Sequence, residues 1–109
     1  MHYIECTEGT RETAWTICTW FMGEYLFNHK VSLTVDERDL SGEGVEGWCI
    51  RESDHEFVIQ IDTNLNYDFI PCMLHELEHV RQWLNGEPRD EFKTHCKESE
   101  LLDRYMNRD

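Results

Sequence analysis

Apolar residues recur along the chain with two different periods. Between residues 11 and 28, Trp15, Cys18, Phe21, Met22, Tyr25 and Leu26 fall at helical spacing and form one stripe. The stripe predicts an amphipathic helix with this side in the core. Thr10 stands ahead of it as a helix cap, with Glu12 and Thr13 near the capping-box position. Residues 1–9 have room for one short strand, which ends in the turn signal Thr7-Glu8-Gly9-Thr10.

The period then shortens to two. Val31-Ser32-Leu33-Thr34-Val35 alternates as a half-buried strand does. Ser41-Gly42-Glu43-Gly44 reads as a turn, and Val45 to Arg51 as a second strand with Trp48 and Ile50 facing one way. Glu56 to Asp62 gives a third, with Phe57, Ile59 and Ile61 on one face. These runs are close in sequence, so an antiparallel meander is the simplest pairing.

Helical spacing returns after the turn-like Asn64 to Asp68. Pro71 fits a first helical turn, where a missing N–H costs nothing. Met73, Leu77, Val80 and Leu84 make one face, and Asn85-Gly86 with Pro88 beyond supplies the stop. A last helix runs from about Asp90 to Asn107, with Leu101, Leu102, Tyr105 and Met106 apolar. The expected fold is a single α+β domain over residues 1–109. It has an N-terminal helix, a small antiparallel or mixed sheet of three to four strands, and two C-terminal helices.

The chemistry sits in His75-Glu76-Leu77-Glu78-His79, an HExxH string inside a predicted helix. Residues four apart lie one above the other on a helix, so both imidazoles reach one ion. Glu76 lies beside that face, placed to act on a water as general base. The apolar face points elsewhere, so core and site do not compete for positions. A zinc site of this kind takes three protein ligands and keeps one position open. Gln82 and Asn85 stand where the extended HExxHxxGxxH pattern needs Gly and His. The third ligand is therefore sought on the last helix, among Glu98, His95 and Glu100. Facing favours Glu98, which shares a side with Leu101, Leu102 and Tyr105.

The segment from Met73 to Gly86 resembles the active-site helix of small zincin metallopeptidases. The order of helix, three strands, HExxH helix and third-ligand helix is similar to the minimal gluzincin core. Phage-type members carry a Gln soon after the second His, then a Glu-x-Glu-Ala segment that supplies the third ligand. Glu98-Ser99-Glu100-Leu101 matches that segment apart from its Leu. SprT-like proteases are a more distant likeness, with a third His. The resemblance implies a zinc metallopeptidase that hydrolyses peptide bonds, with His75, His79 and Glu98 on zinc and Glu76 as the catalytic base. It also suggests a phage-encoded protein acting in a host cell.

Several further expectations follow. His95, Tyr67 and Tyr105 are candidates for stabilising an oxyanion, and Asp62 and Asp103 for orienting the ligand histidines. Phe57 to Ile61 is the expected edge strand for an extended peptide. Cys72 and Trp83 lie on the metal side of their helix, with Cys72 expected to be packed. His2, His29 and His55 have no partners at ligand spacing and read as surface residues.

Composition narrows the alternatives. Ten Lys and Arg against 23 Asp and Glu give a net charge of −13. That balance argues against direct nucleic-acid binding, which needs basic clusters, and favours basic substrates or partners. No apolar run approaches a membrane span. Five cysteines without a CxxC pair, and a start at Met1 to Cys6 without signal-peptide character, point to reduced thiols and a cytoplasmic protein. Two rival readings remain beside the peptidase. One is a catalytically inactive zincin-like binding module. The other is an acidic inhibitor or nucleic-acid mimic. The pattern assigns no oligomeric state.

Overall fold

A computed structural model describes residues 2–108. The elements run β1 (His2–Cys6), α1 (Glu12–Tyr25), β2 (Val31–Arg38), β3 (Gly47–Arg51), β4 (Glu56–Asp62), α2 (Phe69–Leu84) and α3 (Glu91–Met106). The α+β class and the order of elements agree with the expectation.

The sheet corrects the expected meander. Its strand order is β1-β2-β4-β3, with β1 and β2 parallel, β2 and β4 parallel, and only β3 antiparallel to its neighbour. The reason lies in the apolar content of the strands. β4 buries Phe57, Ile59 and Ile61, and β2 buries Val31, Leu33 and Val35, while β3 buries no side chain fully. The two most apolar strands pair at the centre, where both edges are covered. The chain from residue 39 to 46 is long enough to carry β3 past that position to the outside. Phe57 to Ile61 is therefore an interior segment, and the two edge strands are His2–Cys6 and Gly47–Arg51, of which the latter borders α2.

One face of the sheet meets the helices. Leu33 pairs with Phe57 and Val35 with Ile59, and these join Ala14, Ile17, Cys18, Phe21 and Met22 of α1 in one core. Phe69, Met73, Leu74, Leu77 and Val80 of α2 complete it, with Leu101 and Tyr105 from α3. Trp15, expected in the stripe of α1, is half exposed; Ala14 and Ile17 take the inward positions.

The start of α1 also departs from expectation. Arg11, not Thr10, is its cap residue, and no side chain caps the helix. The Thr10 hydroxyl instead accepts from the backbone N–H of Glu37, tying the turn to β2. Arg11 fixes the junction that aims α2. Its guanidinium grips Glu37 at 2.8 and 3.0 Å, donates to the Leu65 carbonyl at 3.1 Å, and lies 3.8 Å from the centre of the Phe69 ring. Burial opposes ionisation of Glu37, but hydrogen bonds from Arg11 and Thr63 outweigh it and hold the carboxyl below its usual range.

Replacing Arg11 by Ala is expected to cost about 2 kcal/mol at pH 7, because it strands a buried carboxylate. A carboxyl held below its unfolded value adds stability above that value and loses it as pH falls. The penalty should therefore shrink toward pH 3, as urea denaturation at the two pH values would show.

Candidate metal centre and its cleft

α2 has two working sides. Its apolar side enters the core, and its other side is covered by α3 and the edge strand β3. Glu76, Glu78, His79 and Gln82 are consequently all buried although polar. Each needs a partner or a reason for lacking one.

Glu78 is satisfied by a two-pronged pair with Arg81, both contacts at 2.8 Å, and Arg81 continues to Glu87 at 3.0 Å. His79 is held through Nδ1, 3.2 Å from the Gln82 side-chain oxygen. An amide oxygen only accepts, so Nδ1 carries the hydrogen and Nε2 keeps its lone pair. Gln82 is fixed in turn, because its amide donates to the Thr94 hydroxyl at 2.8 Å and that hydroxyl donates to the Asp90 carbonyl at 2.7 Å. Burial pushes the His79 imidazole below its ordinary value, which keeps it neutral.

His75 sits one turn earlier, with its ring 5.0 Å from that of His79. Its Nδ1 lies 3.3 Å from a Glu98 oxygen, so Glu98 does for His75 what Gln82 does for His79. Both Nε2 atoms then turn toward Glu91 in the first turn of α3. One Glu91 oxygen is 3.4 Å from His75 Nε2, and the other is 2.5 Å from His79 Nε2. His75, His79 and Glu91 each offer a ligand atom within 4.8 Å of the others. His79 Nε2 makes no hydrogen bond despite that approach, which leaves a buried lone pair directed at the cluster.

Glu91 was not among the expected ligands. A glutamate in a first helical turn reads as a solvated charge favoured by the helix dipole, and this one is mostly exposed. Asp90 caps α3 by accepting from the Lys93 N–H, and the return from Asn85 to Asp90 lays that first turn over His79. The expected third-ligand positions, His95 and Glu98, lie one and two turns further on. Glu98 is at the site, against the far nitrogen of His75. His95 is exposed and lies 3.7 Å from Glu98. Glu100 is exposed and outside the cluster.

Glu76 is 5% exposed, and its Oε1 has no hydrogen-bond partner. Burial raises its pKa to about 7 against the opposing pull of His75. Cys49 and Cys72 stand nearby, and burial next to Glu76 pushes both up to about 12, so they are neutral thiols. β3 comes close here because residue 47 is glycine. A Cβ at Gly47 would lie 3.0 Å from Cys72 Sγ, 3.1 Å from the Gln60 carbonyl and 3.7 Å from Glu76 Cγ. Glu76, His75, Cys72 and the Gly47 backbone line a cleft of about 850 Å³, with Glu91 and Glu98 at its rim.

Other expected site residues serve elsewhere. Asp62 accepts from Leu40 N–H and from Asn64, which closes the loop after β2. Asp103 accepts from Asn107 at the end of α3. Tyr105 is core, edge-on to Trp20, and Tyr67 is 97% exposed; neither lines the cleft. Trp83 is half exposed under the Arg51 guanidinium at 4.2 Å. His2, expected at the surface, is half buried with Nε2 2.8 Å from the Leu26 carbonyl.

Comparison with family models, curated proteins and solved structures finds no match to this chain. Among the described residues, no helix is long and apolar enough to cross a membrane.

A buried carboxyl with a raised pKa costs the metal-free protein stability once pH exceeds its unfolded value near 4.5, and the cost is complete above about 7. Glu76→Gln should therefore stabilise the metal-free protein by about 1–3 kcal/mol at pH 8 and by nothing near pH 4. Denaturant midpoints in the presence of a chelator check this.

Proposed function

We propose that the chain is a zinc-dependent peptidase of minimal gluzincin type. One observation carries the reading. Two imidazole nitrogens and a carboxylate converge beside a buried glutamate whose free oxygen has no structural partner. The donor set suits zinc: two nitrogens and one oxygen leave a fourth position open. His75, His79 and Glu91 would hold the ion, with Gln82 and Glu98 orienting the imidazoles through Nδ1. When bound, zinc supplies Lewis acidity that polarises a carbonyl and brings the pKa of water near 7.

The rest of the chemistry belongs to the chain. Glu76 Oε1 accepts a proton from the attacking water and returns it to the leaving amine. A carboxyl poised near neutrality does both at physiological pH, and burial provides that poise. β3 borders the cleft beside Glu76, and Gly47, lacking a Cβ, lets its backbone pack closely against Cys72 and Glu76. The inactive-module reading assigns the metal to folding alone and leaves the raised pKa of Glu76 without use.

Elemental analysis of the purified protein should find about one zinc per chain. His75→Ala should lose it, and Glu91→Ala should bind it much more weakly, loading only in excess zinc. Glu98→Gln and Gln82→Ala should keep the site and weaken it by about 10–100-fold. Glu76→Gln should retain zinc and lose turnover of a random peptide pool by roughly 100-fold or more. Full zinc binding with no turnover in the parent protein would favour the inactive module. Absence of zinc after dialysis against it would remove both readings.

A further inference from the structure

A second hollow lies behind the cleft, where the far end of β3 passes the last turns of α2. It holds about 200 Å³. Phe57 and Cys49 of the sheet and the Trp83 indole give it apolar walls, and His79 of the metal cluster borders it as well. That volume is below the roughly 300–1,000 Å³ of sites that take whole small molecules, and it suits one side chain. Its charge is the opposite of the chain's. Arg51 and Arg89 both line it, in a chain with ten Lys and Arg against 23 Asp and Glu. Glu87, its one carboxylate, is held by Arg81 through two contacts at 3.0 Å. The Arg51 guanidinium sits 4.2 Å from the centre of the Trp83 ring and pairs with the exposed Asp54. Arg89 engages Glu91 through Nε alone, at 3.4 Å, and its two terminal nitrogens have no hydrogen-bond partner among the described residues. Arg89 also lines the cleft that holds Glu76, so it stands where the two hollows meet.

We infer that this pocket receives the apolar C-terminal residue of a peptide, with Arg89 binding that residue's free carboxylate. The inference rests on the peptidase reading and makes the enzyme a carboxypeptidase. A terminal residue carries an apolar side chain and a carboxylate on one Cα, and those are the two chemistries that adjoin here. A guanidinium binds a carboxylate through two parallel N–H donors, and the free end of Arg89 has them. Elsewhere along the cleft Glu46, Asp68 and Glu98 would repel a terminal carboxylate, which leaves the Arg89 side as its favourable seat. With the terminal residue lodged there, the preceding amide lies toward Glu76. Hydrolysis breaks that C–N bond: the water's hydroxyl goes to the carbonyl carbon, and its proton passes through Glu76 to the leaving amine.

The test is a titration of the zinc-loaded full chain carrying Glu76→Gln, in which the probes survive, read by NMR at the backbone amides of residues 49–51 and the Trp83 indole. The probes are acetyl-Ala-Ala-Phe as the free acid, the same peptide as its amide, and acetyl-Ala-Ala-Ala as the free acid. The first should bind about tenfold more tightly than either of the others. Adding Arg89→Gln should bring acid and amide within about twofold of each other. Zinc content and circular dichroism of each variant check the site and the fold. An acid preference that survives Arg89→Gln would put the carboxylate on the metal and overturn the pocket. Equal binding of acid and amide, equal binding of the two acids, binding of none, or shifts that avoid residues 49–51 and Trp83 would overturn it too. Should the chain take up no zinc, the peptidase reading falls, and the same titration of the parent chain decides the pocket alone.

Discussion

The structure turns on the burial of three ionisable side chains by one helix. α2 must place Met73, Leu77 and Val80 in the core, and the same helix takes Glu76, Glu78 and His79 out of water on its other side. Uncompensated, such burial costs several kcal/mol per charge. Two of the three are compensated from within the helix or from α3. Glu78 has Arg81, and His79 has the chain through Gln82 and Thr94 to the Asp90 carbonyl. Glu76 has nothing, and its response is a pKa near neutrality. The docking of α3 follows from this accounting, since Thr94 and Asp90 are where the His79 network ends. So does the position of Glu91, next in the chain after that cap.

The sheet serves the same constraint from the other side. A fully apolar third strand would have competed with β4 for the centre. β3 carries Gly47, Trp48 and Cys49 instead, and it settles at the edge against α2. Trp48 and Gln60 join side chains across the outer face, which leaves the inner face of Gly47 free to approach Glu76. An edge strand, the buried Glu76 and the His75 imidazole are thereby brought to one cleft, with His79 packed behind it against Cys49 and Trp83.

Much of this was legible in the chain. The helices were readable from their 3.6-residue stripes and their stops at Gly86 and Asn107, and the HExxH string marked His75, Glu76 and His79 at once. What pairwise sequence distance does not reveal is which strand takes the centre. β2, β3 and β4 follow one another closely, but burial of Phe57, Ile59 and Ile61 outweighs the convenience of a meander. Glu91 was hidden for a different reason. Its place depends on how six residues between two helices turn, and periodicity says nothing about that segment. Glu98 was found by its facing, although its contact is with Nδ1 of His75 and not with the convergent Nε2 atoms. Gln82 was visible as an absent glycine in an extended motif and as the Gln that follows the second His in the phage-type resemblance; that an amide three residues after His79 sets its tautomer needs the packed structure.

In the proposed function, α2 and the first turn of α3 build a nitrogen- and oxygen-lined zinc site, separate from the neighbouring thiols. X-ray absorption at the zinc edge of the loaded protein tests it most directly. Two imidazole nitrogens are expected at about 2.0–2.1 Å and a carboxylate oxygen at about 2.0–2.2 Å, with no sulfur. That oxygen should disappear from the first shell in Glu91→Ala. A sulfur scatterer at about 2.3 Å would contradict the account by placing Cys72 or Cys49 on the metal. A first shell unchanged by Glu91→Ala would contradict it by returning the third position to another carboxylate.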